Sequence, residues 1–165
     1  GDAERGPLTL FSRSTKRNAF MVSRSTWLSM TLPRQQAAGI RGMMDCYAEM
    51  YRTKNTIGLL SLFSPRICGY GSGPDEVVRD LAGMKAQVKR DLSQADSVRI
   101  RFENVHVAGE MPVAWVMADC EFEVVVKGTR LAMAGRFTAV LKNTGSRWLF
   151  AMIHFSVPAL TQGAG

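Results

Sequence analysis

The chain has 165 residues, of which 46% are hydrophobic and 21% are charged, and its formal net charge is +7. A chain of this length and balance can bury the core of one ordinary domain. The composition excludes a disordered or collagen-like protein. No charge-free apolar stretch approaches the length of a membrane-spanning helix, so no membrane span is expected.

Positive charge is concentrated in the first quarter of the chain. Residues 1–44 hold seven Lys or Arg against two acidic residues, so +5 of the net charge of +7 lies there. The remainder is near neutral, so it lacks the excess of basic residues that is typical of a nucleic-acid-binding surface. We therefore expect residues 1–33 to form a basic N-terminal extension, and any contact with phosphate or RNA to come from it.

The extension is rich in Ser, Thr and Arg, a composition typical of organelle-targeting presequences. It predicts a mitochondrial location, with the cytoplasm as the alternative. Its aromatic and basic side chains are expected to contact a partner. These candidates are Phe11, Arg13, Lys16, Arg17, Phe20, Arg24 and Trp27.

The cysteine, histidine and glycine patterns disfavour several common kinds of site. Cys46, Cys68 and Cys120 form no CxxC pair and are odd in number, so we expect a reducing compartment, without a zinc site or a disulfide framework. The histidines are His106 and His154, and no HExxH, GxSxG, P-loop or Rossmann glycine motif occurs. The sequence therefore predicts no cofactor and no metal.

Apolar spacing predicts three helices. Residues 35–53 form an amphipathic helix, and residues 57–63 form a short second helix that ends before a proline. The third helix covers 81–94, where the apolar stripe leaves Asp91 on the solvent side.

From residue 98 onward the apolar period is two, which is typical of strands. A short strand over 67–70 and a glycine-rich loop over 69–76 precede the third helix. The four long strands are predicted over 98–107, 113–126, 131–142 and 148–157. Short turns join the last three strands in an antiparallel meander, and helices followed by strands indicate an α+β fold.

This order, three N-terminal helices packed on a strongly curved antiparallel meander, resembles the cone-shaped fold of the nuclear transport factor 2-like superfamily. The closing strands resemble its SnoaL-like group and the association domain of calmodulin-dependent kinase II. The stretches that carry this likeness are 135–141, 147–149 and 153–158. The resemblance covers about residues 36–158, and it implies a cone domain over 34–160 that is followed by a C-terminal tail over 161–165.

The resemblance implies a pocket between the helices and the inner face of the sheet. In catalytic members such as ketosteroid isomerase that pocket holds an acid or a base. Tyr47 resembles the oxyanion-hole tyrosine of that enzyme, judged by its spacing to Phe63. Gly71 or Ser72 stands where the isomerase has its general base, and Thr138 stands where it has a protonated aspartate. Because none of these carries a carboxyl group, the sequence favours a non-catalytic role.

The two-residue turn at 127–128 sets a strand register in which Asp119 lies opposite Arg136, and we expect these two to form an ion pair on the inner face. Strand alternation and the family comparison together divide the side chains between the two faces. The predicted pocket residues are Tyr47, Trp115, Met117, Asp119, Arg136, Thr138, Ala151, Ile153 and Phe155. The outer-face residues that we expect a second subunit to cover are Trp148, Phe150, Met152 and His154.

Three functional hypotheses follow from these patterns. The first is a non-catalytic accessory subunit, docked in a larger mitochondrial assembly through the N-terminal extension and the outer sheet face. The second is a stand-alone SnoaL-like protein that binds a small molecule, or an isomerase- or cyclase-type enzyme, with Tyr47, Asp119 and Arg136 in its pocket. The third is a nucleic-acid-binding protein that works through its extension. The expected partners are other protein subunits, as a homo-dimer or in a larger assembly.

Overall fold

A computed structural model describes residues 32–158 of the chain. Three helices lie within this range: α1 (Arg34–Arg52), α2 (Thr56–Ser61) and α3 (Leu81–Gln94). None of these three helices is long and apolar enough to cross a membrane. The predicted partner-binding residues of the N-terminal extension, and the C-terminal tail over 161–165, lie outside the described residues.

Local hydrogen bonds explain where the helices begin and end. Asp80 caps α3, because its side chain accepts a hydrogen bond from the backbone N–H of Gly83 at 2.7 Å. Helix α2 ends earlier than predicted because Phe63 already belongs to a strand. The backbone N–H of Phe150 donates to the carbonyl oxygen of Leu62 at 2.9 Å, which draws this part of the chain into the sheet.

Six strands form one curved sheet, in the spatial order β2-β1-β6-β5-β4-β3. They are β1 (Phe63–Tyr70), β2 (Val77–Val78), β3 (Ser97–Glu110), β4 (Val113–Val126), β5 (Thr129–Asn143) and β6 (Trp148–Ser156). The antiparallel meander is confirmed for β3 to β6. Strand β1 departs from it, because it pairs in parallel with β6 and lies between α2 and α3 in the sequence.

The turn between β4 and β5 has the predicted register. Val126 pairs with Thr129, and Asp119 pairs with Arg136. Lys127 has a φ of 49° and the following glycine a φ of 76°, so both turn residues adopt the left-handed backbone that a tight two-residue hairpin requires.

The register between β5 and β6 differs from the prediction. Lys142 pairs with Leu149 instead of Arg147, and the pairing shifts again between Val140 and Leu141. Ala151 is the extra residue of the resulting β-bulge. A bulge reverses the face on which every later side chain of the strand lies.

The assignment of the sheet faces is wrong for β4 and β5. The face that packs on the helices carries the even-numbered residues of β4 and the odd-numbered residues of β5. Its buried side chains are those of Ala114, Val116, Ala118, Cys120, Phe137, Ala139 and Leu141. Trp115 and Met117, predicted to face inward, lie on the outer face and are 48% and 60% exposed. The error arises because β4 is apolar on both faces over most of its first half, so alternation alone cannot identify the inner one.

Aromatic side chains fill the space between α1 and the sheet. The Tyr47 ring lies 5.8 Å from Phe150 and 6.2 Å from Phe63, measured between ring centroids. The indole N–H of Trp148 donates to Oε1 of Gln36 on α1 at 2.6 Å. The prediction that a second subunit covers Trp148 and Phe150 is therefore wrong, since the helix side of the same chain buries both.

Candidate functional site

A cavity of about 330 Å³ lies between helices α1 and α3 and the inner face of the sheet. Its two sides differ in chemistry. The sheet side is apolar, with side chains from β2 to β6. These side chains are Val78, Val98, Phe122, Val124, Val126, Met133, Ile153 and Phe155. The helix side supplies the polar groups, so the cavity suits a ligand with an apolar body and one polar end.

Two tyrosines of α1 form part of the polar side. Tyr47 and Tyr51 are one helical turn apart, so both project from the same side of α1, and their ring centroids lie 5.1 Å apart. Each tyrosine is more than nine-tenths buried and lines the cavity. Burial raises the pKa of both hydroxyls above their ordinary value. At neutral pH the two phenols therefore remain protonated and can donate hydrogen bonds.

Helix α3 contributes an amide and a carboxylate that are also one helical turn apart. The side chain of Gln87 donates to Oδ1 of Asp91 at 2.8 Å, and both residues line the cavity. Burial, and next the negative charge of Glu76, raise the pKa of Asp91 to about 6. Arg90, Gln87 and the Tyr51 hydroxyl act in the opposite direction. Asp91 therefore exchanges its proton close to neutral pH, as a general base or acid must.

The third polar element is the glycine-rich loop that ends in Glu76. It is a loop over residues 71–76, whereas Gly69 and Tyr70 belong to β1. The Glu76 carboxylate accepts hydrogen bonds from the backbone N–H of Gly73 at 2.9 Å and from the Gln87 side chain at 3.3 Å. Arg90 joins the loop to α3 by ion pairs with Asp75 at 2.7 Å and with Glu76 at 3.2 Å. These contacts fix the carboxylate at the edge of the cavity.

Close packing within this loop requires glycine at position 71. A Cβ atom at Gly71 would lie 2.1 Å from Oε2 of Glu76, well inside van der Waals contact. The absence of a side chain at Gly71 thus lets the Glu76 carboxylate fold back against the loop.

Three of the predicted pocket residues line this cavity, and the others do not. Tyr47, Ile153 and Phe155 are lining residues. Ile153 and Phe155 face inward because the bulge at Ala151 reverses their side of β6, not for the reason predicted. Placement in the pocket is wrong for Trp115, Met117, Asp119, Arg136 and Thr138, which lie on the outer face, and for Ala151, the bulge residue.

The predicted ion pair between Asp119 and Arg136 is not formed. The two residues are cross-strand partners, and both side chains are exposed on the outer face. Asp119 instead accepts a hydrogen bond from the side-chain amide of Asn104 at 2.7 Å. Asn104 has a φ of 50° at the irregular point of β3, where the pairing of β3 with β4 shifts.

Two of the predicted partner-binding residues do lie on the outer side of the sheet. They are Met152, which pairs with Val140, and His154, which pairs with Thr138. The His154 ring packs against Tyr70, at 6.1 Å between ring centroids. These two residues remain candidates for contact with a partner.

The sequence reasoning missed Tyr51, Glu76, Gln87 and Asp91. The signal for Asp91 was available, because Met84, Gln87 and Asp91 follow the helical spacing of three or four residues that marks one side of α3. A carboxylate at the edge of an apolar stripe is easily read as solvent-exposed. In residues 32–158, no group of three His, Cys, Asp or Glu side chains is arranged to hold a metal ion.

A family profile described as SnoaL-like domain matches residues 40–160, about three quarters of the chain. The chain belongs to the SnoaL-like family. No curated protein matches it in sequence. The described fold is therefore that of a SnoaL-like domain, as the resemblance of the closing strands implied.

Solved structures share the nuclear transport factor 2-like fold at low sequence identity. A protein of Novosphingobium aromaticivorans, provisionally named an aromatic ring hydroxylase, has a TM-score of 0.72 at 19% identity, over 78% of this chain and 92% of its own. A Streptomyces avermitilis protein of the same fold family, provisionally named a dehydratase, has 0.71 at 13% identity, over 77% and 99%. A Xanthomonas campestris protein, provisionally named a calcium/calmodulin-dependent protein kinase II association domain, has 0.69 at 15% identity, over 79% and 91%. These likenesses establish the fold.

Proposed function

We propose that this SnoaL-like domain binds a small, largely apolar molecule in the inner cavity and transfers a proton to or from it through Asp91. The observation that carries the proposal is the meeting of one partly buried carboxylate and two protonated phenols on the polar side of a cavity whose other side is apolar. Such a cavity positions a ligand by shape and leaves its reactive end against the acid–base groups.

The roles of the polar groups follow from their protonation states. Ionised Asp91 can accept a proton from a carbon or oxygen atom of the ligand. It is a stronger base than an exposed aspartate because burial disfavours its charged form. The Tyr47 and Tyr51 hydroxyls can donate hydrogen bonds to a ligand oxygen that gains negative charge as the proton leaves. An isomerisation, or an elimination that begins by proton removal, fits these roles. The provisional name of the Streptomyces avermitilis protein agrees with that class of reaction.

The arrangement differs from that of ketosteroid isomerase. The base proposed here comes from α3, whereas the isomerase comparison pointed to Gly71 or Ser72 in the loop. Tyr47 keeps the hydrogen-bond donor role that the resemblance implies. The absence of a carboxyl group at 71, 72 and 138 therefore does not argue against acid–base chemistry.

A neutral aromatic probe tests the proposal without knowledge of the natural substrate. A carboxylate removes the C3 proton of 5-nitrobenzisoxazole while the N–O bond breaks, and a coloured cyanonitrophenolate forms. We expect the protein to accelerate this reaction, with a rate that rises as the pH passes through about 6, and we expect Asp91→Asn to abolish the acceleration. Asp45→Asn is the matched control, because Asp45 is an exposed aspartate of α1 outside the cavity. The absence of acceleration, or its full retention in Asp91→Asn, would overturn the proposal.

A second proposal retains a role in assembly. What supports it is the outer face of the sheet, where Trp115 and Met117 are about half exposed, close to Met152 and His154 in the strand register. The Xanthomonas campestris neighbour, provisionally named an association domain, agrees with an oligomeric use of this fold. Sedimentation of the full chain tests the proposal: an oligomer that Trp115→Glu dissociates supports it, and a monomer contradicts it. Deletion of residues 1–33 would then show which element docks. An oligomer that survives the deletion is held together by the outer face, and one that is lost is held together by the extension.

A further inference from the structure

We propose that the ligand of the inner cavity is a cation, an aromatic or alicyclic amine in its ammonium form. This inference rests on the proposed function, since it names the class of molecule that the same cavity accepts. The observation behind it is the charge of the residues that surround the polar end of the cavity.

The ionisable groups that line the cavity are all acidic. They are the carboxylic acids Glu76 and Asp91 and the phenols of three tyrosines. Within the part of the chain that the structure describes, no Lys, Arg or His lines the cavity. An anionic ligand would thus meet two carboxylates and no cation, whereas an ammonium group would meet charges of the opposite sign.

Arg90 does not neutralise this end of the cavity. Its guanidinium group forms ion pairs with Asp75 at 2.7 Å and with Glu76 at 3.2 Å, so its single positive charge is shared between two carboxylates. Arg90 is not a lining residue, whereas Glu76 and Asp91 are. Glu76 and Asp91 both line the cavity, and together they exceed the single positive charge of Arg90.

The apolar side of the cavity matches the rest of such a ligand. Phe122 and Phe155 pack edge to face, with ring centroids 4.2 Å apart, and both line the cavity opposite the helices. A cyclic hydrocarbon body can pack on these rings while its ammonium group points toward the carboxylates. Tyr47 and Tyr51 also line the cavity, and aromatic rings attract positive charge.

Three probes of nearly equal size separate charge from shape. They are 2-(1-naphthyl)ethylamine, which is cationic at neutral pH, 2-(1-naphthyl)ethanol, which is neutral, and 1-naphthylacetic acid, which is anionic. Binding is measured by calorimetry on the full-length protein at about pH 7.5. We expect the amine to bind about tenfold or more tightly than the alcohol, and the acid to bind at least tenfold more weakly than the alcohol.

Substitutions assign the selectivity to particular carboxylates. Glu76→Gln and Asp91→Asn should each reduce the preference for the amine over the alcohol several-fold. Asp45→Asn is the control, because it removes an exposed carboxylate of α1 that does not line the cavity, and it should leave the preference nearly unchanged. Asp91→Asn serves as the second variant if loss of Glu76 disturbs the loop.

The outcomes distinguish this inference from the function on which it rests. Binding of the alcohol as tight as that of the amine, or binding of the acid as tight as that of the alcohol, would overturn the selection by charge and leave the cavity as the binding site. An amine preference that survives in both cavity variants would also overturn it. If none of the three probes binds, the proposed function fails together with this inference.

Discussion

Replacing Asp91 with Asn should stabilise the protein at neutral and alkaline pH while it removes the proposed proton acceptor. Burial and the charge of Glu76 raise the pKa of Asp91 to about 6, compared with about 4 for an aspartate in the unfolded chain. The folded state therefore disfavours the ionised carboxylate. Asparagine has nearly the same shape and carries no charge, so it avoids this penalty and retains polar atoms for Gln87.

The size of the stabilisation depends on pH. Below about pH 4 the carboxyl group is protonated in both the folded and the unfolded chain, so Asp91 carries no electrostatic penalty. As the pH rises from about 4 to about 6, the unfolded chain ionises first and the free energy of unfolding falls. Above about pH 6 the penalty is complete. A pKa shift of about two units corresponds to ~3 kcal/mol, and partial solvent access reduces the expected value to about 1–2 kcal/mol.

Thermal unfolding followed by circular dichroism measures this difference. At about pH 8 we expect Asp91→Asn to raise Tm by about 2–6 °C, and at about pH 4 we expect a much smaller change. Asp45→Asn, at an exposed position of α1, controls for the loss of one negative charge from the surface. A decrease in Tm at both pH values, or an equal change in the two variants, would refute the reasoning that Asp91 is held in a desolvating site.

Three further predictions address the core, the loop and the outer face. Phe150→Ala should lower the free energy of unfolding by about 3–5 kcal/mol in a denaturant titration, since the ring is fully buried, and a loss below about 1 kcal/mol would contradict that packing. Gly71→Ala should weaken naphthyl-probe binding because its Cβ would displace Glu76, whereas Gly42→Ala should not, since its Cβ would meet no atom within 4 Å and lies outside the cavity; equal effects would show that the close approach is unimportant. Trp115→Glu should still fold, with the circular dichroism spectrum of the parent at room temperature, because the side chain lies outside the core, and an unfolded variant would disprove this placement.

The fold was predictable because helix and strand periodicities are local properties of the sequence. The bounds 81–94 for α3 and 113–126 for β4 agree with the prediction, and the glycine turn at 127–128 determined the register of the β4–β5 hairpin. The errors lie where the local sequence pattern gives no signal. The four-residue loop between β5 and β6 allows several registers. The bulge at Ala151 adds a residue to β6, and no turn residue in the sequence indicates it.

The candidate site was less predictable than the fold. A sheet strand that is apolar on both faces does not reveal which face meets the helices, so Trp115 and Met117 were placed in the pocket instead of their neighbours. Asp91 was assigned to solvent because charged residues on a helix are usually exposed. Its environment depends on Glu76, which a loop brings to α3 from outside the helix, and sequence periodicity does not describe that contact.

The most direct test of the account is an NMR titration of the Asp91 side-chain carboxyl carbon in the full-length protein, assigned by comparison with Asp91→Asn. We predict a midpoint near pH 6, and a lower midpoint in Glu76→Gln, because the charge of Glu76 contributes to the raised pKa. A midpoint near 4 in the parent protein would mean that the carboxylate is an ordinary solvated one, and it would contradict both the base assigned to this cavity and the reaction proposed for it.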